Sequence, residues 1–135
     1  MPDLKTPEQV VRAFFHRWDD GMDAMEQAFR DTMAGACVWG NTGFPDCHGP
    51  EESVGMLRQM REALPVAVVK GEIVKTVVQG RDVVVERIDH LLREDGSAIL
   101  TMKVLGILAV QDGKIVEWRE YADASALGAL MTKGG

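Results

Sequence analysis

Three short turn segments in the second half of the chain, Gly80-Arg81-Asp82, Glu94-Asp95-Gly96 and Gln111-Asp112-Gly113, constrain the fold more than any other feature. They separate four long β-rich runs: Val66 to Gln79, Val83 to Arg93, Ala98 to Gln111 and Lys114 to Ala122. Connections this short join antiparallel strands, because a parallel pair needs a long crossover. The four runs therefore read as a meander.

The first half has helical periodicity. Thr6-Pro7-Glu8-Gln9 is a helix start, with Thr as N-cap, Pro at the first helical position and Gln closing a capping box. Val10, Val11, Phe14, Phe15 and Trp18 follow as one apolar stripe, and Asp19-Asp20-Gly21 ends it. A second short helix carries Met25, Ala28, Phe29 and Met33. Cys37-Val38-Trp39 reads as a brief strand, and Gly40 to Gly49 as a loop rich in Gly, Asn, Asp and Pro. Pro50-Glu51-Glu52 opens a third helix, with apolar positions Val54, Leu57, Met60 and Leu64, and Leu64-Pro65 closes it. Asp123 to Met131 is expected to form a small closing helix, and Thr132 to Gly135 to be loose.

Helices followed by a meander predict a single α+β domain over residues 1–135. The N-terminal and middle helices would cover one face of a curved antiparallel β-sheet, making a cone around an apolar pocket. A length of 135 residues and 46% hydrophobic content suit one core. The net charge of −6, with no basic cluster, argues against a nucleic-acid or anionic-membrane surface. Met1-Pro2-Asp3-Leu4-Lys5 has no signal-peptide apolar core and no apolar run reaches membrane-spanning length, so a cytoplasmic protein is expected. Cys37 and Cys47 then read as free thiols. Cys47-His48 matches no zinc spacing, and neither a metal nor a phosphate-binding glycine loop is expected.

Alternation along the runs sets out the chemistry. Val85, Arg87, Asp89 and Leu91 share one side of the second run, and Met102, Val104, Gly106 and Leu108 one side of the third. On the fourth, Val116, Trp118, Glu120 and Ala122 alternate with Ile115, Glu117, Arg119 and Tyr121. Arg87, Asp89 and Glu120 would converge in a pocket walled by Val85, Leu91, Met102 and Val104, with Met60 and Leu64 from the third helix. Such a group is costly to bury unless paired, and it suits either acid–base chemistry or a structural ion pair.

Glu86-Arg87-Ile88-Asp89, Lys103-Val104-Leu105-Gly106, Gly113-Lys114-Ile115 with Trp118-Arg119, and Trp39-Gly40-Asn41 together resemble the limonene-1,2-epoxide hydrolase family. That family lies within the cone-shaped superfamily that includes ketosteroid isomerase and nuclear transport factor. The resemblance implies one-step opening of a small hydrophobic epoxide to a vicinal diol, without cofactor or metal, and a homodimer formed through the outer sheet face. It assigns catalysis to Arg87 and Asp89, and water-holding to Asn41. Glu120 stands where the family has its water-activating Asp, and Trp39 where it has a Tyr. Glu extends the carboxylate by ~1.5 Å, and Trp keeps a donor but loses an acceptor.

An isomerase, dehydratase or polyketide-type cyclase on the same scaffold is the first rival reading; His16 could serve a dehydratase, but it reads first as a partly exposed helix residue. A non-catalytic hydrophobic-ligand-binding domain is the second. Tyr121 is the only tyrosine, which argues against a close isomerase relative. His90 falls opposite the Arg87 face, and His48 falls in a loop.

Overall fold

A single six-stranded sheet, ordered β2-β1-β6-β5-β4-β3, curves around the N-terminal and middle helices. The computed structural model describes residues 5–134. Expectations for Met1 to Leu4 and for Gly135 fall outside the described residues. Helix α1 (Pro7–Arg17) begins as its capping box dictates: the Gln9 N–H donates to Thr6 Oγ1, and the Thr6 N–H donates to Gln9 Oε1. A 3₁₀ turn (Trp18–Asp20) leads to α2 (Met22–Thr32), and α3 spans Gly49–Ala63. Glu26 of α2 is buried and accepts from Arg58 and Arg61 of α3, which ties the two helices together.

The meander is β3 (Val68–Gln79), β4 (Asp82–Leu92), β5 (Ala98–Gln111) and β6 (Lys114–Ala122). Its strand ends fall within two residues of those expected. Asp112 and Gly113 both have positive φ, the geometry of a two-residue hairpin turn that matches strand twist.

The structure departs from the sequence reading in four places. The loop from Gly40 to Gly49 contains a two-residue strand, β2 (Cys47–His48), which pairs with β1 (Val38–Asn41). β1 in turn lies parallel to β6, a pairing that no hairpin signal could announce because 72 residues separate the two strands. In β6, Ile115 faces inward and is fully buried instead of joining Glu117 on the outer side. The cause is a β-bulge: Ala109 pairs with Glu117 and Val110 with Ile115, leaving Val116 as an extra residue. Finally, α4 runs over Ser125–Gly134 and includes Thr132 and Lys133, which were expected to be loose.

Further register shifts in β3 (Ile73/Lys75) and between β4 and β5 (Leu91/Leu92) add bends that curve the sheet. Phe14, Phe15, Trp18 and Phe29 from the helical half pack into its concave side. They meet Trp39 and Trp118, cross-strand partners whose rings stack with centroids 4.7 Å apart. No described helix is long and apolar enough to cross a membrane.

Candidate active site

Arg87 is the most deeply buried charge in the fold, at 1% exposure, with Asp89 and Glu120 at 6% each. Strand alternation puts Arg87 and Asp89 on the concave face of β4, and Glu120 reaches them from β6 across the intervening β5. Arg87 Nε and Nη2 donate to Asp89 Oδ1 and Oδ2 at 2.9 and 2.8 Å. Its Nη1 and Nη2 donate to Glu120 Oε2 and Oε1 at 2.5 and 3.1 Å. Both carboxylates are therefore held in two-pronged fashion by one planar guanidinium, which a lysine could not do. The guanidinium carbon also lies 4.3 Å from the centroid of the Phe15 ring. Burial opposes the Arg87 charge, but attraction from Glu120 and Asp89 and their hydrogen bonds outweigh it, so its pKa is raised.

Glycine makes room for this cluster. Gly106 lies between Val85 and Glu120 in the strand ladder, and a Cβ there would stand 2.8 Å from Glu120 Oε2. At Gly71, paired with Asp89, a Cβ would make only ordinary contact, 3.4 Å from Trp18 and 3.5 Å from Asp89 Oδ1. Neither was singled out from the sequence as a site residue, since a strand glycine carries no chemical signal of its own.

Asp89 and Glu120 form the acidic end of a cavity of about 100 Å³. Trp39 and Asn41 also line it. They are two residues apart on β1, so they share a face, and Asn41 pairs with Glu120 across the parallel ladder. The Thr42 N–H and hydroxyl both donate to the Glu120 carbonyl, which extends that register by one residue. Trp39 Nε1 and Asn41 Nδ2 are buried donors with no protein partner among the described residues. With Trp18 Nε1, also unpaired among the described residues and on a cavity-lining residue, three buried donors accompany the two carboxylates, a site able to hold a small molecule bearing oxygen.

Of the expected wall residues, Met60, Leu91, Met102 and Val104 line the cavity. Val85 and Leu64 do not, and both are packed into the core. Val85 sits toward the start of β4, while Asp89 and Leu91, further along the same strand, lie at the cavity end. Leu64 lies beyond the last turn of α3. Residues not foreseen in the walls include Trp18, Met25, Thr42, Leu127 and Met131. Trp18 and Met25 carried only the signal of a core stripe.

The histidines stand away from this cavity. The His16 side chain is 85% exposed beside Asp19, and His90 pairs with Glu72 at 2.9 Å. His48 is in β2 and not in a loop; it faces solvent against Glu52, whereas Cys47 next to it is buried. Adjacent strand residues point to opposite faces, so Cys47 and His48 do not converge on one ion.

The profile of the Limonene-1,2-epoxide hydrolase catalytic domain matches residues 5–132. Epoxide hydrolase EphG of Mycobacterium tuberculosis is 29% identical over 126 residues, covering 93% of this chain and 78% of that protein. Among solved structures, an LEH-like epoxide hydrolase from M. tuberculosis superposes with a TM-score of 0.69 at 23% identity, covering 98% of this chain and 94% of the other. An NTF2-like protein from Burkholderia pseudomallei gives 0.75 at 16% identity, with 95% and 98% covered. These two likenesses establish the fold, and the family follows from the profile match over nearly the whole chain: the protein belongs to the limonene-1,2-epoxide hydrolase family.

Proposed function

We propose that the protein is a cofactor-independent epoxide hydrolase, adding water to a small hydrophobic epoxide to give a vicinal diol in one general acid/base step. The observation that carries this reading is the buried Asp89–Arg87–Glu120 array at one end of an otherwise apolar cavity.

Opening an epoxide needs a proton removed from water and a proton given to the departing oxygen. Glu120, ionised, takes a proton from water as the water oxygen bonds to one epoxide carbon from the side opposite the C–O bond. That C–O bond breaks, its electron pair stays on oxygen, and Asp89, protonated, supplies the proton. The step leaves Glu120 protonated and Asp89 ionised, and transfer of one proton between them restores the starting state. Arg87 holds both groups in place throughout. With both carboxylates ionised the buried array carries one uncompensated negative charge, which a single shared proton removes. The attacking water accepts from Trp39 Nε1 or Asn41 Nδ2, and its second proton is accepted by Asn41 Oδ1.

The substrate's remaining surface is apolar, as Met60, Leu91, Met102 and Val104 require. A second copy of the chain is proposed to pack on the outer sheet face, where Val77, Leu105 and Tyr121 are 53%, 43% and 52% exposed. Sedimentation of a Leu105→Glu variant tests that pairing; a wild-type monomer overturns it. A cytoplasmic location fits the two buried thiols, Cys37 and Cys47.

Turnover of a panel of hydrophobic epoxides in oxygen-18 water tests the activity. Labelled diol is expected from the wild type, and Asp89→Asn or Glu120→Gln should each lower the rate by ~10²–10⁴-fold with the fold retained. Diol formed at the wild-type rate by either variant overturns the assignment. A folded wild type that binds epoxides without forming diol points instead to an isomerase, a cyclase or a ligand-binding role.

A further inference from the structure

We propose that Leu127 and Met131 of α4 set the size of molecule that the cavity accepts, an inference that rests on the hydrolase reading for the chemistry but not for the binding. The cavity walls are anchored unequally. Leu91 and Val104 are buried on β4 and β5, strands paired on both sides, and Leu57 and Met60 are buried on α3. These walls are part of the core, and changing them disturbs it.

The wall made by α4 is different. None of residues 125–132 is buried, and the helix has α3 as its main neighbour. Leu127 and Met131 nevertheless line the cavity, together with Ala124. Their spacing of four residues puts them on one face of α4, one turn apart. Ala122, two residues after Glu120 on the same face of β6, lines the cavity too, and Asp123-Ala124 alone connect it to α4. The helix therefore roofs the cavity close to the carboxylate that faces the attacking water. A substituent extending past the reacting carbons in that direction meets Met131 and Leu127 first. Methionine is an unbranched, adaptable side chain, and truncating it opens space without exposing a backbone polar group.

Binding is read without any chemistry, because Trp18 and Trp39 both line the cavity and their fluorescence reports its occupancy. The probes are cyclohexane-1,2-diol and the larger 1,2-diphenylethane-1,2-diol, titrated against wild type, Met131→Ala, Met131→Trp and Leu127→Ala. Met131→Ala and Leu127→Ala should shift the ratio of the two Kd values about tenfold toward the larger diol. Met131→Trp should shift it the other way. Circular dichroism establishes which variants are folded, and the three substitutions on a half-exposed helix keep the comparison available if one of them is not. Unchanged ratios in the folded variants overturn the proposal, as do shifts of the same sign from Ala and Trp at residue 131. The expected shifts without epoxide turnover uphold the role of α4 and remove the hydrolase reading; turnover with unchanged ratios does the reverse.

Discussion

Gly106 and Glu120 are cross-strand partners, and the space that a side chain on Gly106 would fill is occupied by the Glu120 carboxylate and its bond to Arg87. A methyl group there would stand 2.8 Å from Glu120 Oε2 and 3.3 Å from Arg87 Nη1. Glycine inside a strand costs stability, and here that cost is offset by room for the buried ion pair.

Gly106→Ala is therefore expected to fold, since the atom it strikes is the end of a side chain and not backbone. Glu120 must shift, and a displacement near 1 Å lowers turnover by about 100-fold. Steady-state kinetics alongside thermal melts check this. A folded variant with wild-type kcat would show that Glu120 has slack in its position.

Arg87→Lys keeps the charge and loses the fork. Four hydrogen bonds to two carboxylates cannot be reproduced by one ammonium group, and the shortfall leaves buried acceptors unpaired. A loss on the order of 3 kcal/mol of stability is expected, measured by urea denaturation. A loss within the range of a surface ion pair, below ~1 kcal/mol, would contradict the picture.

Trp39→Phe separates stability from catalysis. The indole N–H has no protein partner among the described residues, so removing it sacrifices no hydrogen bond within the fold. Part of the stacking on Trp118 is retained. Stability should change by no more than about 1 kcal/mol, while diol formation falls by ~10-fold or more through loss of a donor to water. An unaltered rate would remove Trp39 from the water site.

The parts of this fold visible in the chain were those with local physical causes. The capping box at Thr6, the Asp112-Gly113 turn and the alternation that aims Arg87 and Asp89 to one side depend on neighbours within a few residues. The brief strand at Cys37 to Trp39 was legible, but its extension to Asn41 was not, because Asn41 pairs with Glu120 on a remote strand; β2, two residues long, is too short to carry an alternation signal. The convergence of Arg87 with Glu120 was legible from charge in apolar strands. The pocket boundary was not, since Val85 and Leu91 alternate identically and both are buried, and which of them borders the cavity is decided by tertiary packing that alternation does not encode.

The Cys37 thiol gives a pH prediction. Burial, with a smaller push from Glu117, raises its pKa from 9.0 to about 11. A pKa raised on folding contributes stability that is complete below the unfolded value and is lost as pH rises toward the folded one. Stability should therefore decline between about pH 9 and pH 11. The decline should be shallower in Cys37→Ala, and urea midpoints across that range check it. Iodoacetamide should label Cys37 only as fast as the fold opens.

The extra residue at Val116 has a consequence for how the chain tolerates deletions. Ile115 and Glu117 keep their partners, Val110 and Ala109, whether or not a residue stands between them. Losing Val116 would straighten the ladder and still leave Ile115, Trp118 and Glu120 on the inner side. Losing Arg119 while Ile115, Trp118 and the bulge between them hold their places shifts everything downstream by one and turns Glu120 outward, away from Arg87. Val116 is thus a spare position in the spacing that aims the carboxylate, and a shortened relative lacking it would keep the site whole.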